Sequence, residues 1–208
     1  MKIEHRHIQE QFINEASSAA AEYGLPQARL HTDIFLDLLN EKIGITADIK
    51  QRKSAFTIFS FLTWTYHYGA WSNLVHEALK IGLIKESYNK IILAAAHELS
   101  EDKTVNKVVE AADILHGRFD VYYKRLLLEL PAKYDAGYEE DLNTFVYIGL
   151  DWLKELFRLS DRDLEIITPL FMEDKKIDES LTEIEYLAFR FVATEREALE
   201  ARKQRAEQ

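Results

Sequence analysis

Only seven glycines and three prolines punctuate the 208 residues of this chain. Tight hairpins draw on Gly, Pro, Asn and Asp for their turns, so a chain this poor in the first two has little material for a sheet of many short strands. Apolar residues recur instead at spacings of three and four along most of the length, which is the period of a helix with one buried face. The expected fold is all-α: a single-domain bundle of roughly eight helices over residues 1–193 around a central aromatic-rich helix, with 194–208 as a charged helical tail.

The spacing predicts a first helix from Glu4 to Tyr23, ended by Gly24-Leu25-Pro26, and a second from Gln27 to Ile43 that stops at Gly44. Thr46 or Asp48 is placed to cap the next. Between Ala55 and Tyr68 the side chains of Phe56, Ile58, Phe59, Phe61, Leu62, Trp64 and Tyr66 suit either a buried strand or a helix apolar nearly all round. Its length, and the lack of a pairing strand elsewhere, favour the central helix. Beyond Gly69 the pattern predicts a short helix to Lys80, a break near Gly82, a helix from Lys85 to Leu99, and a long one from Thr104 to Leu130 closed by Pro131. Residues 139–159 form another despite Gly149 in their interior, Ser160 or Asp161 caps a shorter one before Pro169, and Ser180 or Thr182 starts the last. The charged run from Glu173 to Glu179 reads as a solvated loop.

Charge and composition narrow the function classes. The net charge is −10, and residues 105–208 hold 23 acidic against 15 basic side chains, so most of the excess lies in the second half. An acidic surface without a basic stripe argues against nucleic acid, whose binding rests on Lys and Arg neutralising phosphates, and favours a protein partner with a basic surface. The absence of cysteine excludes disulfides, thiolate nucleophiles and iron–sulfur clusters. It also fits a reducing compartment, and cytoplasmic localisation is the expectation. The opening MKIEHRHIQEQF lacks the apolar core of a signal peptide, and the most apolar stretch, Ala55 to Trp71, is too short to span a membrane.

Three groups of residues are candidates for chemistry or binding. His97, Glu98, Glu101, Glu110, Asp113 and His116 lie on two successive helices; a short turn between these helices brings the six side chains face to face, as in the divalent-metal sites of helix bundles. Glu98-Leu-Ser-Glu101 and Glu110-Ala-Ala-Asp113 resemble the acidic pairs with which the all-helical nucleoside triphosphate pyrophosphatases hold Mg²⁺. The resemblance covers only the stretch from Ile91 to Phe119 and departs from the family in its short helix connection and in His97, where a further acid is usual. Trp64, His67, Trp71 and His76 form a second group, an aromatic and imidazole-rich patch suited to an apolar ligand pocket. Glu139, Glu140 and Asp141, together with the tail, form a third, a charged surface for a partner. No glycine-rich phosphate loop, serine elbow, HExxH pair or calcium loop is present.

The leading expectation is a helical binding protein, an adaptor, inhibitor or immunity-type partner, without a cofactor and acting through its acidic surface; a homo-oligomer is compatible with it. The alternative is a Mg²⁺- or Mn²⁺-dependent hydrolase of nucleotides or other phosphorylated small molecules, with the carboxylate cluster as its metal site.

Overall fold

The computed structural model describes the backbone of residues 2–72, 77–135, 143–184 and 186, and the side chains within 10–70, 79–131, 144–184 and 186. Among them the chain is helical almost throughout and no strand is present. The elements are α1 (Lys2–Leu38) running into a π-helical turn (Leu39–Ile43), α2 (Ile49–Ser72), α3 (Glu77–Leu99), α4 (Val105–Asp135), α5 (Asn143–Phe157) and α6 (Asp161–Met172). A further helical segment, α7, covers 175–184. None of these helices is long and apolar enough to cross a membrane.

Local chemistry sets most of the helix ends. Gly44 closes the π turn in the left-handed region, φ 80°, and its N–H donates to the Asn40 carbonyl. Of the two caps expected for α2, Asp48 is the one used: the Gln51 N–H donates to Asp48 Oδ1 at 2.7 Å while the Asp48 N–H donates to Gln51 Oε1 at 3.0 Å. Ser160 and Asp163 form the same reciprocal box at the start of α6. Asp174 accepts from the Lys176 N–H at 2.8 Å, so α7 starts inside the charged run that reads as a loop in sequence, ahead of Ser180. Ile177, Ser180, Leu181 and Ile184 then repeat at three and four and are all buried, which gives α7 its inner face.

The helix breaks expected at Gly24-Leu25-Pro26 and at Gly82 do not occur, nor does the stop at Pro131. α1 runs through Pro26, α4 through Pro131 and α6 through Pro169. A proline inside a helix deprives the carbonyl four residues earlier of its donor. In all three cases the proline and that earlier residue, Glu22, Leu127 or Glu165, lie on the exposed face, where water can take the freed carbonyl. The glycines serve close approach between helices. A Cβ on Gly24 would meet Thr63 Cγ2 at 3.1 Å and His67 Nε2 at 3.2 Å, and one on Gly82 would stand 2.5 Å from Ile13 Cδ1.

The segment of ambiguous pattern is the centre of the bundle: residues 55–67 of α2 are buried without interruption. Three of their hydroxyls are satisfied by their own helix, Thr57 donating to the Lys53 carbonyl, Ser60 to that of Phe56 and Thr65 to that of Leu62. α1 packs along α2 in the opposite direction, since Gly24 lies against Thr63 and His67 while His31 meets Phe59. Aromatic rings form two clusters about α2, one of His31, Phe35, Phe59 and Phe171 and the other of Phe61, Trp64, Tyr88, Phe119, Tyr122 and Trp152. One continuous cluster of buried apolar side chains runs from Phe12 to Ile184.

Candidate functional site

α4 has two faces. Ala112, Leu115, Phe119 and Leu126 are buried in the bundle. On another side Ile114, Val121 and Leu128 stand 60%, 59% and 79% exposed, each seven residues from the next. Seven residues are close to two helical turns, so the three form one seam about 21 Å long at 1.5 Å per residue. Gly117 with Arg118, and Lys124 with Arg125, occupy the turns between them, so the line is apolar at every second turn.

A groove of about 550 Å³ runs beside this seam, walled by Ser54 and Ile58 of α2 and by Trp152, Glu155 and Leu156 of α5. Arg125 ties α4 to the α5 wall. The guanidinium donates to both Glu155 oxygens and to Glu129, and its carbon stands 5.3 Å from the centre of the Trp152 ring. Trp152 in turn donates to Glu129 Oε2 at 2.7 Å and stacks on Tyr122, with ring centres 5.1 Å apart. Burial pushes the Tyr122 hydroxyl above its usual range, with Arg118 and Arg125 opposing that shift. The groove therefore has an apolar floor and a wall held by a charged clamp, while Gly117 opens onto space on its α4 side.

The six side chains considered for a metal site do not converge. Among the described residues no group of three or more His, Asp or Glu stands close enough to hold a metal ion. Cations from other helices have taken two of the carboxylates: Arg29 of α1 pairs with Glu98 at 2.9 Å, and Lys53 of α2 with Glu101 at 3.0 Å, which holds the Glu101 carboxyl below its usual range. Glu110 pairs with Lys107 on its own helix, Asp113 and His97 are exposed, and the His116 ring faces Tyr88. Lys103 donates to the carbonyls of His97 and Glu98, so this stretch closes α3 with a cation at its negative end.

Trp64 and His67 both belong to the core. Trp64 donates to Ser87 Oγ at 3.2 Å among Phe61, Tyr68 and Tyr88. His67 is 2% exposed. The side chains of Trp71 and His76 lie outside the described residues, as do Glu139, Glu140, Asp141 and the 194–208 tail. The exposed seam on α4 was missed in sequence because the reading followed the three-and-four pattern of Ala112, Leu115, Phe119 and Leu126, whereas Ile114, Val121 and Leu128 each stand two residues after one of those positions, on another side of the helix; the seven-residue spacing was the available signal.

The chain matches no protein-family model, no curated protein and no solved structure.

Proposed function

We propose that the protein is a helical binding protein whose partner packs an apolar helix face against the α4 seam. The exposure of Ile114, Val121 and Leu128 in one line beside a walled groove carries this reading. An amphipathic helix with apolar residues at heptad spacing matches such a seam in length and period. The net charge of −10 favours encounter with a basic partner, because opposite fields speed association, while Arg118, Arg125 and Glu155 set mixed charges along the groove itself. Adaptor, inhibitor and immunity-type roles all use a surface of this kind.

A photo-reactive residue at Val121 tests the reading in the cells that make the protein, with the same residue at exposed Asp178 as the control. A discrete adduct from position 121 alone, lost in a Leu128→Glu background, is the expected result. Adducts equal at both positions, or none from 121, refute it. Leu128→Glu is expected to change stability by less than about 0.5 kcal/mol, because it lies on the surface, so loss of the adduct reports binding.

A further inference from the structure

Arg118 and Arg125 stand seven residues apart on α4, close to two helical turns, and both line the groove beside the exposed seam. Their surroundings differ. Arg125 is neutralised by Glu155 and Glu129. Three and four residues from Arg118 stand Leu115, Val121, Ile114 and Tyr122, so its own helix supplies no acid within reach. Among the described residues Arg118 has no carboxylate partner.

Arg118 is also partly buried. Lys53, Lys90, Arg125 and Lys154 are partly buried too, and they pair with Glu101, Glu86, Glu155 and Asp161 respectively. Glu155, the acid among the groove's lining residues, has both oxygens bonded to Arg125 and none to offer Arg118. The Arg118 charge acts on the Tyr122 hydroxyl, which sets it at the aromatic floor of the groove. In a chain of net charge −10, this apolar groove therefore carries a positive charge without a counter-charge among its lining residues.

An apolar helix face laid over Arg118 would strip water from the guanidinium, and covering an unpaired charge is costly. An acid on the incoming helix removes that cost, because the planar guanidinium holds a carboxylate through two parallel hydrogen bonds. We infer that Arg118 is a specificity residue of the groove, reading an Asp or Glu that the partner helix carries one turn from the apolar residue that meets Val121. The inference rests on the docking of a helix along the α4 seam. It is compatible with a partner that is basic as a whole, since the net charge acts on encounter at long range and Arg118 acts on one side chain in contact.

The probe is the partner segment captured by the full chain through the photo-reactive residue at Val121 and sequenced from the adduct. That segment should hold an Asp or Glu three or four residues from the crosslinked position. The concentration of chain giving half-maximal adduct should rise at least about tenfold for Arg118→Gln, and less for Arg118→Lys, which keeps the charge and loses the fork. Lys124→Gln, at an exposed cation of α4 outside the groove, should leave it unchanged. Arg118→Gln breaks no ion pair among the described residues and should melt with the wild type, so its weaker capture reports recognition. Changing the partner's acid to its amide should weaken capture by the wild-type chain and add little to the loss already present in Arg118→Gln. Capture unchanged by Arg118→Gln, a segment without an acid within one turn, or losses that simply add overturns this inference and leaves the docking reading standing. Absence of any adduct from position 121 refutes both.

Discussion

Replacing Gly149 with alanine sets two effects of similar size against each other. In the interior of α5 the substitution gains about 1 kcal/mol of helix propensity. Against this, the new Cβ would stand 2.1 Å from Leu62 Cδ1, 3.1 Å from its Cγ and 3.2 Å from its Cδ2. Leu62 is 4% exposed in the packed centre of α2 and borders only a cavity of about 10 Å³, so its branched end has little volume to swing into. Overpacking of this kind costs about 1–3 kcal/mol, and with three atoms of one side chain crowded at once the upper half of that range applies. The net expectation is a destabilisation of about 1–2 kcal/mol, or about 2–8 °C in melting temperature for a chain of this size. Urea titration of four proteins, wild type, Gly149→Ala, Leu62→Ala and the double variant, supplies the assay. Leu62→Ala alone should cost about 2–5 kcal/mol through its cavity. In the double variant the alanine methyl has room, so the combined loss should fall short of the sum by about 1 kcal/mol or more. A Gly149→Ala protein more stable than wild type, with simple additivity in the double variant, would refute the close approach of α5 to α2.

Three further outcomes are expected. His31 is buried, and desolvation lowers its pKa to about 4 against the opposing pull of Asp174. The unfolded chain binds the His31 proton first as pH falls, so stability is complete above about pH 6.5 and is lost down to about pH 4, by about 3 kcal/mol in all. His67 acts in the same direction, and urea midpoints at pH 7 and pH 4.5 should converge for His31→Phe relative to wild type; an unchanged gap would count against the buried, neutral imidazole. Pro26→Ala and Pro131→Ala, at exposed interior positions of continuous helices, should each raise the melting temperature, since proline is about 3 kcal/mol worse than alanine in a helix interior. A lowered value would mean that the helices break at these residues. Arg125→Lys retains the charge but loses the fork that spans Glu155 and Glu129 and the guanidinium plane over Trp152, so near-ultraviolet dichroism of Trp152 should change together with a loss of about 1 kcal/mol. A spectrum and midpoint identical to wild type would remove Arg125 as the clamp of the groove wall.

Features that depend on near neighbours in the chain were legible in sequence. The all-helical class followed from the scarcity of turn residues and the three-and-four spacing. The stop at Gly44 and the caps at Asp48 and Ser160, each one of two candidates in the sequence, are interactions between residues a few positions apart. The aromatic stretch 55–67 forms the buried centre, because a helix apolar on all sides can only be stable inside the bundle.

Tertiary structure decided whatever depends on which surfaces meet. Gly24, Gly82 and Gly149 carry no local mark that separates a breaker from a contact point; only the facing side chains of Thr63, Ile13 and Leu62 show that they admit a neighbouring helix. The prolines are tolerated because their faces are wet, a property of the bundle and not of the tripeptide around each one. The carboxylates on α3 and α4 have metal-like spacing along the chain, yet Arg29 and Lys53, from helices distant in sequence, claim Glu98 and Glu101. Helical periodicity assigns an apolar residue to a face, but packing determines whether that face meets the core or, as for Val121 and Leu128, stays exposed.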